Sequence, residues 1–262
     1  MRLEIISRHP TGSGYATPLL FVHGMLHGAW CWEVHFLDYF ARRGFAAHAV
    51  NLRGHGKSEG RQHLRWTRIA DFVDDVGSAA RQLSCPPVLI GHSMGGFVIQ
   101  KYLESHDTPG AVLLSSPPPA GLVGTTLRIA GRRPLVFTKI NLTFSLAPLI
   151  ATPELAREAF FSADVPGEIL RSYWSLMQDE SYRALLDMVV LDRLEPGKVK
   201  TPLLVLGAAR DNMLSRSDIE ATACAYHTHA EIIPDVAHNS MLEQRWEAVA
   251  ERILVWLMER AS

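Results

Sequence analysis

The sequence predicts an α/β fold in which a mostly parallel sheet carries helices on both faces and a mainly helical segment is inserted late in the chain. Three observations point there. Short apolar runs bounded by Gly, Pro and polar clusters alternate with amphipathic helical stretches through short connections, the pattern of parallel strands joined by crossover helices. One of these runs, Val88-Leu89-Ile90, passes straight into Gly91-His92-Ser93-Met94-Gly95 and then a helical stretch. The alternation stops at Pro117-Pro118-Pro119 and resumes only near Pro202.

The elements follow in order. Residues 2–7 read as an edge strand and Thr11-Gly12-Ser13-Gly14 as the turn after it. A buried strand over 18–22 ends in His23-Gly24, and Val34, Leu37, Phe40 and Ala41 then share a helical face. Residues 45–52 form the next strand, and Arg53 to Gly60 a polar, glycine-rich loop. Ile69, Phe72, Val73, Val76, Ala80 and Leu83 keep helical spacing. The strand at 88–90 leads to a helix over 97–103 and a further strand over 111–115. Between about 120 and 195 no central strand is predicted, and the segment reads as an insertion folding over the sheet. A strand over 202–206, a helix near 217–226, a strand over 229–233 and a final helix carrying Trp246, Val249, Ile253 and Leu257 complete the chain. The expected division is a core of residues 1–117 and 199–262 with a lid of residues 118–198.

Composition narrows the function. With 262 residues, 47% of them hydrophobic, the chain can bury one large domain's core. A net charge of −1 and the absence of basic runs argue against nucleic acid as a partner. The three cysteines are widely spaced and form no CxxC pair, so neither a disulfide framework nor a zinc site is expected. Residues 1–10 lack a signal-peptide core, and the uncharged stretch from Ile140 to Pro153 is too short and polar to span a bilayer. The expectation is a soluble, cytoplasmic protein; nothing in the sequence sets its oligomeric state.

Gly-x-Ser-x-Gly between a strand and a helix puts a serine on a tight, strained turn with its hydroxyl exposed. A serine hydroxyl is a poor nucleophile at neutral pH and needs a base, and the base an acid to orient it. Such groups gather at the carboxyl ends of parallel strands. Of the twelve histidines, His238 lies just past the strand at 229–233, whereas His227 and His229 fall at its start. Asp211 stands in the same relation to the strand at 202–206. Asp235 is too close in sequence to His238 to pack behind its ring, and Asp218 is expected as a solvated side chain in the following helix.

Phe21-Val22-His23-Gly24, the loop from Arg53 to Gly60, Gly91-His92-Ser93-Met94-Gly95-Gly96, Asp211 and His238 together resemble the α/β-hydrolase superfamily over nearly the whole chain. The order Ser93, Asp211, His238 is the order of its triad. The resemblance implies Ser93 as nucleophile, His238 as base, Asp211 as orienting acid, and the N–H groups of Met25 and Met94 as an oxyanion hole. It implies no cofactor and no metal. His23-Gly24-Met25-Leu26-His27-Gly28-Ala29-Trp30-Cys31-Trp32 resembles plant methylesterases and hydroxynitrile lyases, while the Arg53–Gly60 loop and the Ser93 turn resemble lysophospholipases and monoacylglycerol lipases. Hydroxynitrile lyases carry lysine directly after the triad histidine; here Asn239 stands there.

The implied activity is hydrolysis of a small to medium hydrophobic acyl ester. Lactone, thioester or carbon–carbon cleavage, or a receptor retaining the triad, are the alternatives. The insertion is rich in apolar residues, among them Leu122, Leu127, Ile129, Leu135, Phe137, Leu142, Phe160, Tyr173 and Trp174. These suit either a hydrophobic pocket or the insertion's own core. Arg132-Arg133 suit a substrate anion or an exposed turn.

Overall fold

The computed structural model describes residues 1–261. Its strands are β1 (Ile5–Arg8), β2 (Leu19–Val22), β3 (Ala47–Val50), β4 (Val88–His92), β5 (Ala111–Leu114), β6 (Leu203–Ala208) and β7 (Ala230–Ile233). They form one sheet in the order β1-β3-β2-β4-β5-β6-β7. Only β1 runs antiparallel to its neighbour. The middle strands are buried on both faces, which is why they read as unbroken apolar runs rather than as alternations.

The helices are α1 (Trp30–Glu33), α2 (Phe36–Ala41), α3 (Ile69–Ala80), α4 (Met94–Tyr102), α5 (Val123–Arg132), α6 (Pro134–Thr143), α7 (Pro153–Phe160), α8 (Gly167–Leu176), α9 (Tyr182–Leu186), α10 (Arg216–Ala225) and α11 (Trp246–Ala261). Side chains alternate across the sheet. Phe21, Ile90, Val112 and Leu204 meet Trp32, Phe36, Phe40, Ile253 and Trp256 of α1, α2 and α11. Leu20, Leu89, Leu113 and Val205 meet Phe72, Val76, Phe97, Ile99 and Ile219 of α3, α4 and α10 on the other face. The period of two thus sorts each strand between two cores.

Several boundaries differ from expectation for local reasons. The helix expected from 97 begins at Met94, directly after Ser93. The expected face of Val34, Leu37, Phe40 and Ala41 is split, because the chain breaks at His35 between α1 and α2; Val34 is exposed while the other three are buried. Asp218 is not a solvated side chain. It accepts from Ser215 N–H at 2.8 Å in a capping box at the start of α10 and pairs with Arg128 of α5 at 2.5 Å.

Between β5 and β6 the chain forms α5 to α9 and a π-helical turn, Asp187–Leu191, with no strand among the described residues. Ile140, Leu146, Phe160, Phe161, Leu170 and Tyr173 from this insertion join the first core, and Leu122, Ala184 and Met188 the second. No helix among the described residues is long and apolar enough to cross a membrane.

Candidate active site

The residues singled out in the sequence follow strands on one rim of the sheet: His23 and Gly24 follow β2, Ser93 follows β4, Asp211 lies just past β6 and His238 just past β7. Ser93 has φ 51° and ψ −119°, a conformation that L-residues rarely adopt and that turns the chain sharply from β4 into α4. Ser93 N–H donates to Leu114 C=O at 2.9 Å, and the Ser93 carbonyl accepts from Phe97 N–H at 3.1 Å. Close approach to β2 is what demands glycine next door. A Cβ on Gly95 would lie 2.3 Å from the carbonyl oxygen of Val22 and 2.6 Å from that of His23.

His238 and Asp211 are joined at 2.8 Å, His238 Nδ1 to Asp211 Oδ2, and both side chains are buried. Nδ1 therefore carries the proton toward the carboxylate, and Nε2 is left as the acceptor. The other carboxylate oxygen of Asp211 accepts from Met213 and Leu214 N–H at 2.8 and 2.9 Å, so the acid is fixed by its own loop. Asp235 is engaged elsewhere, on Arg210 and Arg245. Ser93 and His238 line the same cavity. The Ser93 hydroxyl makes no hydrogen bond to His238 among the described residues.

Met25 lines the same cavity, and Met94 is buried at the first position of α4. Around Met25 the backbone is held from several directions. Met25 C=O accepts from His27 Nδ1 at 2.7 Å, and Leu26, at φ 66°, donates its N–H to Glu180 Oε2 at 3.3 Å. Leu26 C=O accepts from Gln178 N–H at 3.1 Å. With Nδ1 of His27 donating, its Nε2 accepts from the Asn239 amide at 2.9 Å. Asn239 N–H in turn donates to Phe160 C=O at 2.9 Å, so the insertion also grips the His238 loop.

Burial, aided by the neighbouring His238 and His55 rings, lowers the pKa of His27 to about 4, against a backbone bond to Met25 that raises it. Burial likewise pushes His23 and His92 well below the ordinary imidazole range, with the nearby His55 and His238 respectively adding to it. His23 acts as a structural acceptor, taking Leu52 N–H at 3.2 Å.

The space within the cavity, together with the open solvent at its mouth, is about 1040 Å³. Its wall is mainly apolar and comes largely from the insertion: Leu122, Ile129, Phe137, Ile140, Leu146, Leu149, Phe160 and Leu186. Polar side chains interrupt this wall at Thr125 and Thr126 and at a pair in which Tyr182 OH donates to Asn141 Oδ1 at 2.9 Å. Of the apolar residues expected either at a pocket or in a core, Leu127, Leu135 and Leu142 are exposed and belong neither to this cavity nor to a core. Tyr173 packs in the core, and Trp174 Nε1 donates to Ile150 C=O at 2.8 Å. Arg132 and Arg133 border an adjoining depression that shares Ile129, Leu149 and Met213 with the cavity, and Arg133 pairs with Glu158.

Sequence reasoning missed Glu180, Gln178, Tyr182 and the contact between His27 and Asn239. Each depends on a partner at least forty positions away, and no periodic or motif signal marks them.

This sheet, with a strained serine turn where its central strand meets a helix, defines the class of protein. Residues 19–252 match the model of the alpha/beta hydrolase family, and the chain belongs to that family. It is an esterase- or lipase-like member. A monoacylglycerol lipase from Mycolicibacterium smegmatis is 26% identical over 253 residues, covering 86% of this chain and 82% of that protein. Among solved structures, a thermophilic esterase from Thermogutta terrifontis superposes with a TM-score of 0.75 at 20% identity, covering 99% of this chain and 94% of the other. The enol-lactonase from Burkholderia xenovorans LB400 does so with a TM-score of 0.71 at 17% identity, covering 98% and 96%.

Proposed function

We propose that the protein is a serine hydrolase cleaving small to medium hydrophobic esters through Ser93, His238 and Asp211. The observation that carries this is the buried 2.8 Å bond from His238 to Asp211 beside Ser93 on its strained turn, at one wall of a large apolar cavity. Ser93 Oγ attacks the ester carbonyl while His238 Nε2 takes its proton. Asp211 holds the imidazole in that tautomer and stabilises the imidazolium. The alkoxide that forms is met by the N–H groups of Met25 and Met94. His238 passes the proton to the leaving alcohol, then deprotonates a water that attacks the acyl carbon and releases Ser93. The hydroxyl-to-imidazole bond is the member still to form, and such bonds commonly tighten when substrate binds.

Residues 118–198 serve as the lid over the core of residues 1–117 and 199–262, and the lid's apolar wall selects the acyl part. Similarity to a monoacylglycerol lipase supports a glycerol monoester among the substrates. A fluorophosphonate probe followed by intact-mass measurement tests the nucleophile: one adduct on the wild type and none on Ser93→Ala is expected. A wild type that stays unlabelled and cleaves no ester, lactone or thioester across acyl lengths would overturn the assignment.

A further inference from the structure

We propose that Glu180, carried on the insertion, is a positioning residue of the oxyanion hole: its carboxylate fixes the Met25–Leu26 peptide and so aims the Met25 N–H. The inference rests on the reading of Met25 as an oxyanion donor. Glu180 is 1% exposed, and its partners Leu26 and His55 are equally buried. Oε2 accepts from Leu26 N–H at 3.3 Å and lies 2.9 Å from His55 Nε2; Oε1 accepts from Ser181 N–H at 2.6 Å. A buried carboxylate requires this degree of satisfaction, so the group is held from both the core and its own segment.

What it holds is unusual backbone. Leu26 is a left-handed, non-glycine residue, a conformation that persists only when its surroundings over-determine it. They do so here. The peptide between Met25 and Leu26 has its carbonyl taken by His27 and its N–H taken by Glu180, and the next carbonyl is taken by Gln178 N–H. Gln178 Nε2 also donates to Gly54 C=O at 3.1 Å, and Ser181 Oγ to Thr67 C=O at 2.6 Å. The stretch from 178 to 181 is thereby tied to three core loops at once. Without Glu180 the Leu26 N–H is a buried donor with no acceptor, and the peptide plane next to the Met25 donor is held by its His27 bond alone. An oxyanion donor works only at about 2.7–3.1 Å from the developing charge, so a small rotation removes its contribution to the transition state and leaves ground-state binding in the cavity intact.

The test compares Glu180→Ala, Glu180→Gln and Glu180→Asp on a short p-nitrophenyl ester. Two inhibitors of matching chain length accompany it: a trifluoromethyl ketone, which forms an oxyanion on Ser93, and an ether, which only fills the cavity. Glu180→Ala is expected to lose about 30–100-fold in kcat and in ketone affinity, with KM and ether affinity changed by less than about threefold. Glu180→Gln, which keeps an acceptor for Leu26 N–H, restores most of the kcat. Should Glu180→Ala fail to fold, the other two carry the test: Asp withdraws the oxygens by one methylene and is expected to behave as Ala does, Gln as wild type. Equal kcat in Asp and Gln, or a fall in melting temperature with kcat and ketone affinity retained, overturns the proposal. Fluorophosphonate labelling separates the two readings. An unlabelled wild type removes the hydrolase assignment itself, whereas a labelled wild type with equally fast labelling of Glu180→Ala removes only the role of Glu180.

Discussion

Two loops meet at the mouth of the cavity, and they are built in opposite ways. The Ser93 turn is made by the sheet: its bonds run to Leu114 on the neighbouring strand and to Phe97 one turn along α4, and Gly95 lets it press on β2. The Met25 turn is made by side chains and backbone from elsewhere, with Glu180 and Gln178 reaching it from more than 150 positions away. The His238 loop belongs with the second kind, since Phe160 of the insertion takes Asn239 N–H. On the proposed reading, the nucleophile is thus set rigidly by local geometry, while the groups proposed to stabilise charge around it depend on how the insertion sits.

The largest expected effect lies outside the Ser93 turn. Asp211→Asn presents an amide to His238 Nδ1 and favours the wrong tautomer, so kcat should fall by about 10⁴-fold with the circular dichroism spectrum unchanged. A loss under tenfold would mean that the His238 loop is oriented by something other than Asp211. Next comes Gly95→Ala, where the added carbon meets backbone rather than a movable side chain. We expect a loss of roughly 3–5 kcal/mol or insoluble protein, read from urea midpoints; a stable, active variant would show that the Ser93 turn is less rigid than the comparison holds.

Acid should erode both loops together, because His27 sits on one and His92 on the other. In the unfolded chain these rings protonate near 6.5, but folded His27 does so only near 4, and folded His92 is lowered well below 6.5 too. Between those values the unfolded state holds more protons, so stability falls as pH drops from 6.5 toward 4. His27→Gln should flatten part of that decline in melting temperature against pH, and an unchanged slope would refute the assignment. The smallest effect is expected at Leu135, which is 78% exposed: Leu135→Ser should shift stability by no more than about 0.5 kcal/mol.

The same contrast decides how much was legible in the sequence. Ser93, Asp211 and His238 could be located because each follows an apolar run that reads as a strand, and the ends of parallel strands converge. The sheet itself was legible for the same reason. The start of α4 was obscured by Gly95 and Gly96, poor helix formers that are there for close packing rather than for helix propensity. Asp218 carried a readable signal, a Ser three positions before it, that marks a capping box. Glu180 carried none: an acid in the polar stretch Gln178-Asp179-Glu180-Ser181 looks solvent-facing until the chain is folded over it.

Most of the cavity wall comes from one continuous run, Leu122 to Val189, and the stretch that grips the Met25 loop is only four residues of it. The cavity wall and the proposed reaction machinery are joined at few points within that run: Ser145 Oγ and the Leu146 and Ala147 N–H groups donate to Asp179, and Phe160 C=O accepts from Asn239 N–H. Variation confined to residues 122–144 can reshape what fits without touching those bonds, whereas transplanting a relative's preference calls for exchanging the whole run from 122 to 189.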